Sequence, residues 1–125
     1  MTRPLLGKID GPEDLKGLTA AQLQQVAQEV RELIIETIGE IGGHFGANLG
    51  ASEIAVAIHS LLDSPRDKVL WDVGHQAYPH KVLTGRRDQL AHLLRHLGEL
   101  GVVQALEVCG AVDLQEGGHV CRVRM

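Results

Sequence analysis

The sequence predicts an α/β fold in which helices pack on an incomplete parallel sheet. Three observations carry this expectation. An apolar stripe at helical spacing occupies residues 23–41, and a short, almost continuously apolar stretch at residues 69–73 reads as a strand. The elements also follow one another as helix, loop, helix, strand, loop, helix, the alternation that builds parallel sheets.

Residues 1–17 are polar and turn-rich, with Asp10-Gly11-Pro12 marking a turn. Thr19-Ala20-Ala21-Gln22 then has the spacing of a capping box, in which the hydroxyl and the amide side chain satisfy backbone donors reciprocally. The stripe behind it is Leu23, Val26, Ala27, Val30, Leu33, Ile34, Ile38 and Ile41, and Gly42-Gly43 ends it. Residues 44–50 are small and read as a loop, after which Ser52 is placed to cap a second helix. That helix is expected to turn Ile54, Ala55, Ile58, Leu61 and Leu62 inward and to stop at Asp63-Ser64-Pro65. Val69-Leu70-Trp71-Asp72-Val73 is apolar enough for a strand covered on both faces. Gly74 follows, and Pro79 suits the first turn of a short helix reaching Leu83. Beyond Gly85, Leu90, Leu93, Leu94 and Leu97 form a short helical stripe, and residues 101–114 are apolar without a clear period.

The 125 residues carry a formal net charge of −4 and are 44% hydrophobic and 22% charged, close to globular averages and within the size of one domain. Phe45, Trp71 and Tyr78 are the only aromatics, so the core has to be aliphatic. No apolar run approaches the roughly 18 residues of a membrane span, and the first residues lack the apolar stretch of a secretory signal. Residues 1–84 hold 11 acids and 7 bases and residues 85–125 five of each, with no basic stripe for nucleic acid. Cys109 and Cys121 do not make a disulfide framework. The expected setting is cytoplasmic, with neither a membrane nor nucleic acid as partner.

Two segments concentrate residues able to do chemistry: Gly42-Gly43-His44-Phe45-Gly46-Ala47-Asn48-Leu49-Gly50, and Trp71 through Lys81 with Gly74-His75 at its centre. Each sets a histidine among glycines at the end of a regular element. Loops after parallel strands converge on a crevice where α/β folds bind ligands. Gly74 lets the backbone approach a ligand closely, and an imidazole donates to an anion or moves a proton near neutral pH. A satisfied histidine in a glycine turn explains either segment equally well. His59 is expected to pack or hydrogen-bond at the surface of the second helix. His92 and His96 have the i, i+4 spacing of a metal pair, but they lie opposite the leucine stripe, where a solvated face accounts for them. His119 and the cysteines match no zinc module, so no metal ligand is nominated. Arg86-Arg87 has the charge for a phosphate and equally suits a solvated basic turn.

Residues 71–88, Trp-Asp-Val-Gly-His-Gln-Ala-Tyr-Pro-His-Lys-Val-Leu-Thr-Gly-Arg-Arg-Asp, closely resemble the signature of the 1-deoxy-D-xylulose-5-phosphate synthases, transketolase-like enzymes dependent on thiamine diphosphate. The resemblance reaches back through Asp63-Ser64-Pro65-Arg66-Asp67-Lys68 and the Gly-Gly-His segment to Leu5-Leu6 and Asp14-Leu15-Lys16. It covers about residues 4–89. It implies a partial thiamine-diphosphate-binding fold at 1–89 and a divergent tail at 90–125, either read in a shifted frame or a natural replacement segment.

The reaction so implied decarboxylates pyruvate and joins the two-carbon unit to glyceraldehyde 3-phosphate, giving 1-deoxy-D-xylulose 5-phosphate for isoprenoid and thiamine synthesis. The cofactor acts as electron sink. By position in the motifs, His44 resembles the family's catalytic histidine, and His75 with Gly74 its cofactor-contacting residues. Family members are several times longer and hold magnesium and diphosphate through a Gly-Asp-Gly motif that has no counterpart among these 125 residues. The resemblance therefore implies an inactive fragment of an enzyme that works, at full length, as a homodimer. A non-catalytic α/β interaction module and a small His/Cys metal-binding protein are the competing readings.

Overall fold

The computed structural model describes residues 2–41, 46–64, 66–71, 76–90, 92 and 120–123. Its framework is the pair of helices α1, Ala20–Ile41, and α2, Gly46–Leu61, packed against each other. The capping box at the start of α1 forms as the sequence predicts. Gln22 N donates to Thr19 Oγ1 at 3.3 Å and Thr19 N to Gln22 Oε1 at 2.8 Å. The stripe of α1 faces inward, with Val26, Ala27, Val30, Ile34 and Ile38 buried and Leu23, Leu33 and Ile41 packed on them.

The N-terminal segment is more than a polar lead-in. It forms two short 3-10 turns, Leu6–Lys8 and Pro12–Leu15, and buries Leu6, Ile9 and Leu15 in the core. The buried Glu29 of α1 holds this segment down by accepting the N–H groups of Leu6 at 2.7 Å and Leu5 at 3.2 Å. Asp14 closes the second turn, accepting from Asp10 N at 2.8 Å and Gly11 N at 3.1 Å.

The second helix departs from the sequence expectation at both its start and its face. It begins at Gly46 rather than at Ser52, and Ser52 lies inside it, its hydroxyl donating to Asn48 O at 3.0 Å. The inward stripe is Asn48, Ala51, Ser52, Ala55, Val56 and His59; of the predicted inner face, Ala55 is buried and Ile58 and Leu62 pack on the core, whereas Ile54 and Leu61 are exposed, Leu61 at 79%. Small residues that look like a loop become helical here because packing overrides intrinsic propensity. Arg31 of α1 secures the junction by donating from Nε to Leu49 O at 3.1 Å and pairing with Glu53.

Strand β1, Lys68–Trp71, starts one residue before the predicted strand; Asp72 and Val73 lie outside the described residues. It pairs in parallel with β2, Val120–Val123, in the register Lys68 to Val120 and Trp71 to Val123. Along β1, Val69 and Trp71 are buried while Lys68 and Leu70 are half-buried, so one face is covered fully instead of both. Among the described residues the chain is mostly helical. Two strands of four residues are a narrower base than the sheet layer expected from the sequence.

Pro79 stands in the first turn of α3, Tyr78–Lys81, as predicted, and the chain continues through a wider turn, Val82–Arg86. Gly85 adopts φ 77° there, and a Cβ on it would stand 2.6 Å from the Asp10 carbonyl oxygen. Arg87 donates to the Ile9 carbonyl beside it, which ties the end of this motif to the N-terminal segment. Leu90 is buried; Leu93, Leu94, Leu97 and residues 101–114 lie outside the described residues.

Candidate functional site

His44, Gly74 and His75, the residues the sequence singles out, lie outside the described residues, as do Phe45, Asp72, His96, Cys109 and His119. Described residues of the two histidine segments are joined. Asn48, in the first turn of α2 and fully buried, accepts the backbone N–H of Tyr78, the first residue of α3, through Oδ1 at 3.1 Å. A free amide at the head of α3 has no partner within its own helix, and Asn48 satisfies it from the neighbouring element. Gln76, Ala77, Tyr78 and Lys81 are all buried at this junction.

A second link joins the same two helices lower down. His59 is fully buried, not at the helix surface, and its Nε2 lies 2.8 Å from Nδ1 of His80. The rings are stacked with centroids 4.9 Å apart, and the Trp71 ring lies 5.9 Å from that of His80. Ser64 Oγ stands 3.4 Å from His59 Nδ1. Burial, with the positive charge of Arg86 second, pushes His59 down to about 4. Burial, then His59, then Arg86 push His80 down to about 3. Both imidazoles are therefore neutral at physiological pH, since desolvation disfavours the charged form.

Arg86, offered by the sequence as a phosphate ligand or a solvated turn, donates from Nη2 to Thr84 Oγ1 at 2.9 Å. Trp71 Nε1 is buried at the end of β1 with no hydrogen-bond partner among the described residues, an orphaned donor of the kind that costs about 1–3 kcal/mol. His92 is exposed. Among the described residues no three His, Cys, Asp or Glu side chains gather to hold a metal ion. One orphaned indole donor does not make a site for a diphosphate, so the described part of the chain provides neither a magnesium cage nor a cofactor cradle. No helix among the described residues is long and apolar enough to cross a membrane.

Sequence reasoning missed Asn48, His59 and His80 as partners. The signal for two of them was present. Asn48, Ser52, Ala55 and His59 keep helical spacing, but only once the helix is taken to start before Ser52.

A family model described as 1-deoxy-D-xylulose-5-phosphate synthase matches residues 6–122. Residues 90–122 thus fall inside the matched span, beyond the stretch in which the resemblance is visible in the motifs. The chain is similar to curated proteins named 1-deoxy-D-xylulose-5-phosphate synthase. That of Methylibium petroleiphilum is 52% identical over 95 residues, 76% of this chain and 15% of the relative. That of Thermomicrobium roseum is 55% identical over 96 residues, with the same 76% and 15% coverage. That of Syntrophomonas wolfei is 46% identical over 115 residues, 92% of this chain and 18% of the relative.

Proposed function

The chain belongs to the 1-deoxy-D-xylulose-5-phosphate synthase family, and from that premise we propose that it is an N-terminal part of a transferase dependent on thiamine diphosphate and magnesium. The reaction is the condensation of pyruvate, with loss of carbon dioxide, and glyceraldehyde 3-phosphate to 1-deoxy-D-xylulose 5-phosphate, a precursor for isoprenoids and thiamine. The observation that carries this reading is the match over residues 6–122, which takes in both histidine segments. The chain spans 15–18% of the length of these relatives.

In this reading His44 is the catalytic histidine at the reacting carbon and acceptor aldehyde, able to hold or move a proton there near neutral pH. His75 donates to the cofactor, and Gly74 lets the backbone lie close to it. The cofactor supplies the electron sink for decarboxylation. The bond from Tyr78 N–H to Asn48 Oδ1 supports a common site, because it joins one histidine segment to the other. The rest of the site belongs to further parts of the enzyme, which works at full length as a homodimer in the cytoplasm. The 125 residues alone are therefore inactive.

Calorimetry of the 125-residue chain with thiamine diphosphate and magnesium tests this directly. No tight binding and no consumption of pyruvate are expected from the chain alone. Turnover is expected when the chain is co-expressed with a relative lacking the corresponding N-terminal residues, and loss of that turnover in His44→Ala and His75→Ala. Tight cofactor binding with turnover by the isolated chain overturns the incomplete reading. Restored turnover that survives both substitutions overturns the site assignment.

A further inference from the structure

The two buried imidazoles that join α2 to α3 have no part in the reaction proposed above. His59 Nε2 and His80 Nδ1 stand 2.8 Å apart, a hydrogen-bond distance with room for one hydrogen between the nitrogens and not two. A neutral imidazole carries its single N–H on one nitrogen and accepts at the other. If His59 donates from Nε2, His80 accepts at Nδ1 and keeps its own hydrogen on Nε2. If His80 donates from Nδ1, His59 accepts at Nε2 and keeps its hydrogen on Nδ1. Either way both rings are the same tautomer, and Ser64 Oγ, 3.4 Å from His59 Nδ1, serves as donor in the first case and acceptor in the second.

We infer that the His59–His80 pair is an acid-released latch that clamps α3 onto α2, tolerating one added proton and opening on the second. One extra proton leaves a donor facing an acceptor and makes the bond charge-assisted. A second proton sets N–H against N–H at 2.8 Å and two like charges in a buried seat, and the contact cannot persist.

The surroundings agree. Trp71 from β1 and Ser64 from the turn after α2 are neutral neighbours. Arg86, from the turn after α3, is the charged group whose field reaches both rings, and its sign opposes protonation. Asp63 and Asp67, in the turn that carries Ser64, are engaged elsewhere: Asp63 with Lys16 and Arg66, and Asp67 with the Asp63 amide. No described carboxylate stabilises a charged imidazole in this seat. Burial holds both rings below their ordinary value, to about 4 and about 3, so the latch stays shut at neutral pH. The inference does not depend on the family's reaction.

Two measurements on the 125-residue chain test it. The first is a nitrogen-15 imidazole titration from pH 7.5 to 3.5. Two of the seven histidines are expected to share one tautomer and to stay neutral below pH 5. Opposite tautomers, or titration of both near pH 6.5, overturn the latch, and a chain that does not fold gives that second result. The second is amide exchange. The opening constant of the Tyr78, His80 and Lys81 amides is expected to rise by about 100-fold per pH unit between roughly pH 6 and 4, the slope of two protons taken up on opening. It should exceed that of interior α1 amides such as Val30. In His59→Gln the slope should drop to about tenfold per unit. Equal exchange of α3 and α1 at every pH, or a slope that His59→Gln leaves unchanged, overturns it.

Discussion

Asn48 accepts the Tyr78 N–H inside the core, so Asn48→Ala strands a buried backbone donor. A loss of about 1–3 kcal/mol is expected, read from the urea midpoint at constant slope. Glu29 takes two backbone amides, those of Leu5 and Leu6. Glu29→Ala is expected to cost at least about 1.5–3 kcal/mol, the range for bonds to a charged group, and to free the N-terminal segment to proteolysis ahead of α1. Neither role was legible in the sequence. A buried Asn or Glu differs from an exposed one only in what surrounds it, and those surroundings come from 23 to 30 residues away in the chain. The salt bridges are a different case. Arg3–Glu36, Lys16–Asp63 and Arg31–Glu53 join partly exposed side chains, and such pairs contribute little individually.

At the scale of elements, what the sequence foretold was local. The start of α1 is set by hydrogen bonds three residues apart, which is why Thr19 and Gln22 announce it. Thr19→Ala is expected to cost about 1 kcal/mol, seen as a lower melting temperature with unchanged helical content at 20 °C. The turn after α3 depends on a distant contact as well, since Gly85 sits at φ 77° with the oxygen of Asp10, far back in the sequence, against its open side. Gly85→Ala is expected to cost more than about 1–2 kcal/mol, the left-handed penalty plus the displaced carbonyl. It would be measured by thermal unfolding against a Gly7→Ala control, where a Cβ meets nothing. The start of α2 misled because Ser52 is a good capping residue and Gly46, Asn48 and Gly50 are poor helix formers. Asn48 and Ala51 are nevertheless turned into the core, and that burial outweighs propensity. Strand β2 was invisible, because its pairing with β1 spans 52 residues of sequence, from Lys68 to Val120.

For the whole molecule the buried histidines set the acid response. Their folded values lie below the ordinary 6.5, so the unfolded chain takes up protons first. The stability they contribute is complete above about pH 6.5 and is lost as pH falls toward about 4 and then about 3. The expected decline is on the order of 1 kcal/mol per pH unit for each histidine. It is measurable as a falling urea midpoint between pH 7 and 4. Glu36, held down by Arg3, and Asp63, held down by Lys16, act in the same direction at lower pH, where their carboxylates protonate.

The sequence by itself determined the family, through an eighteen-residue motif whose side-chain order is a property of the chain. It also determined α1, the turn at Asp10-Gly11-Pro12 and the helix start at Pro79, because capping, proline geometry and helical period act over three or four residues. Only the tertiary structure decided which face of α2 is buried, that Leu6, Ile9 and Leu15 belong to the core, and that β1 finds its parallel partner at Val120–Val123. It alone also brought Asn48 to Tyr78 and His59 to His80. These are contacts between residues distant in sequence. They form because apolar faces exclude water together, and that cooperative burial leaves no local trace for a motif or a periodicity to report.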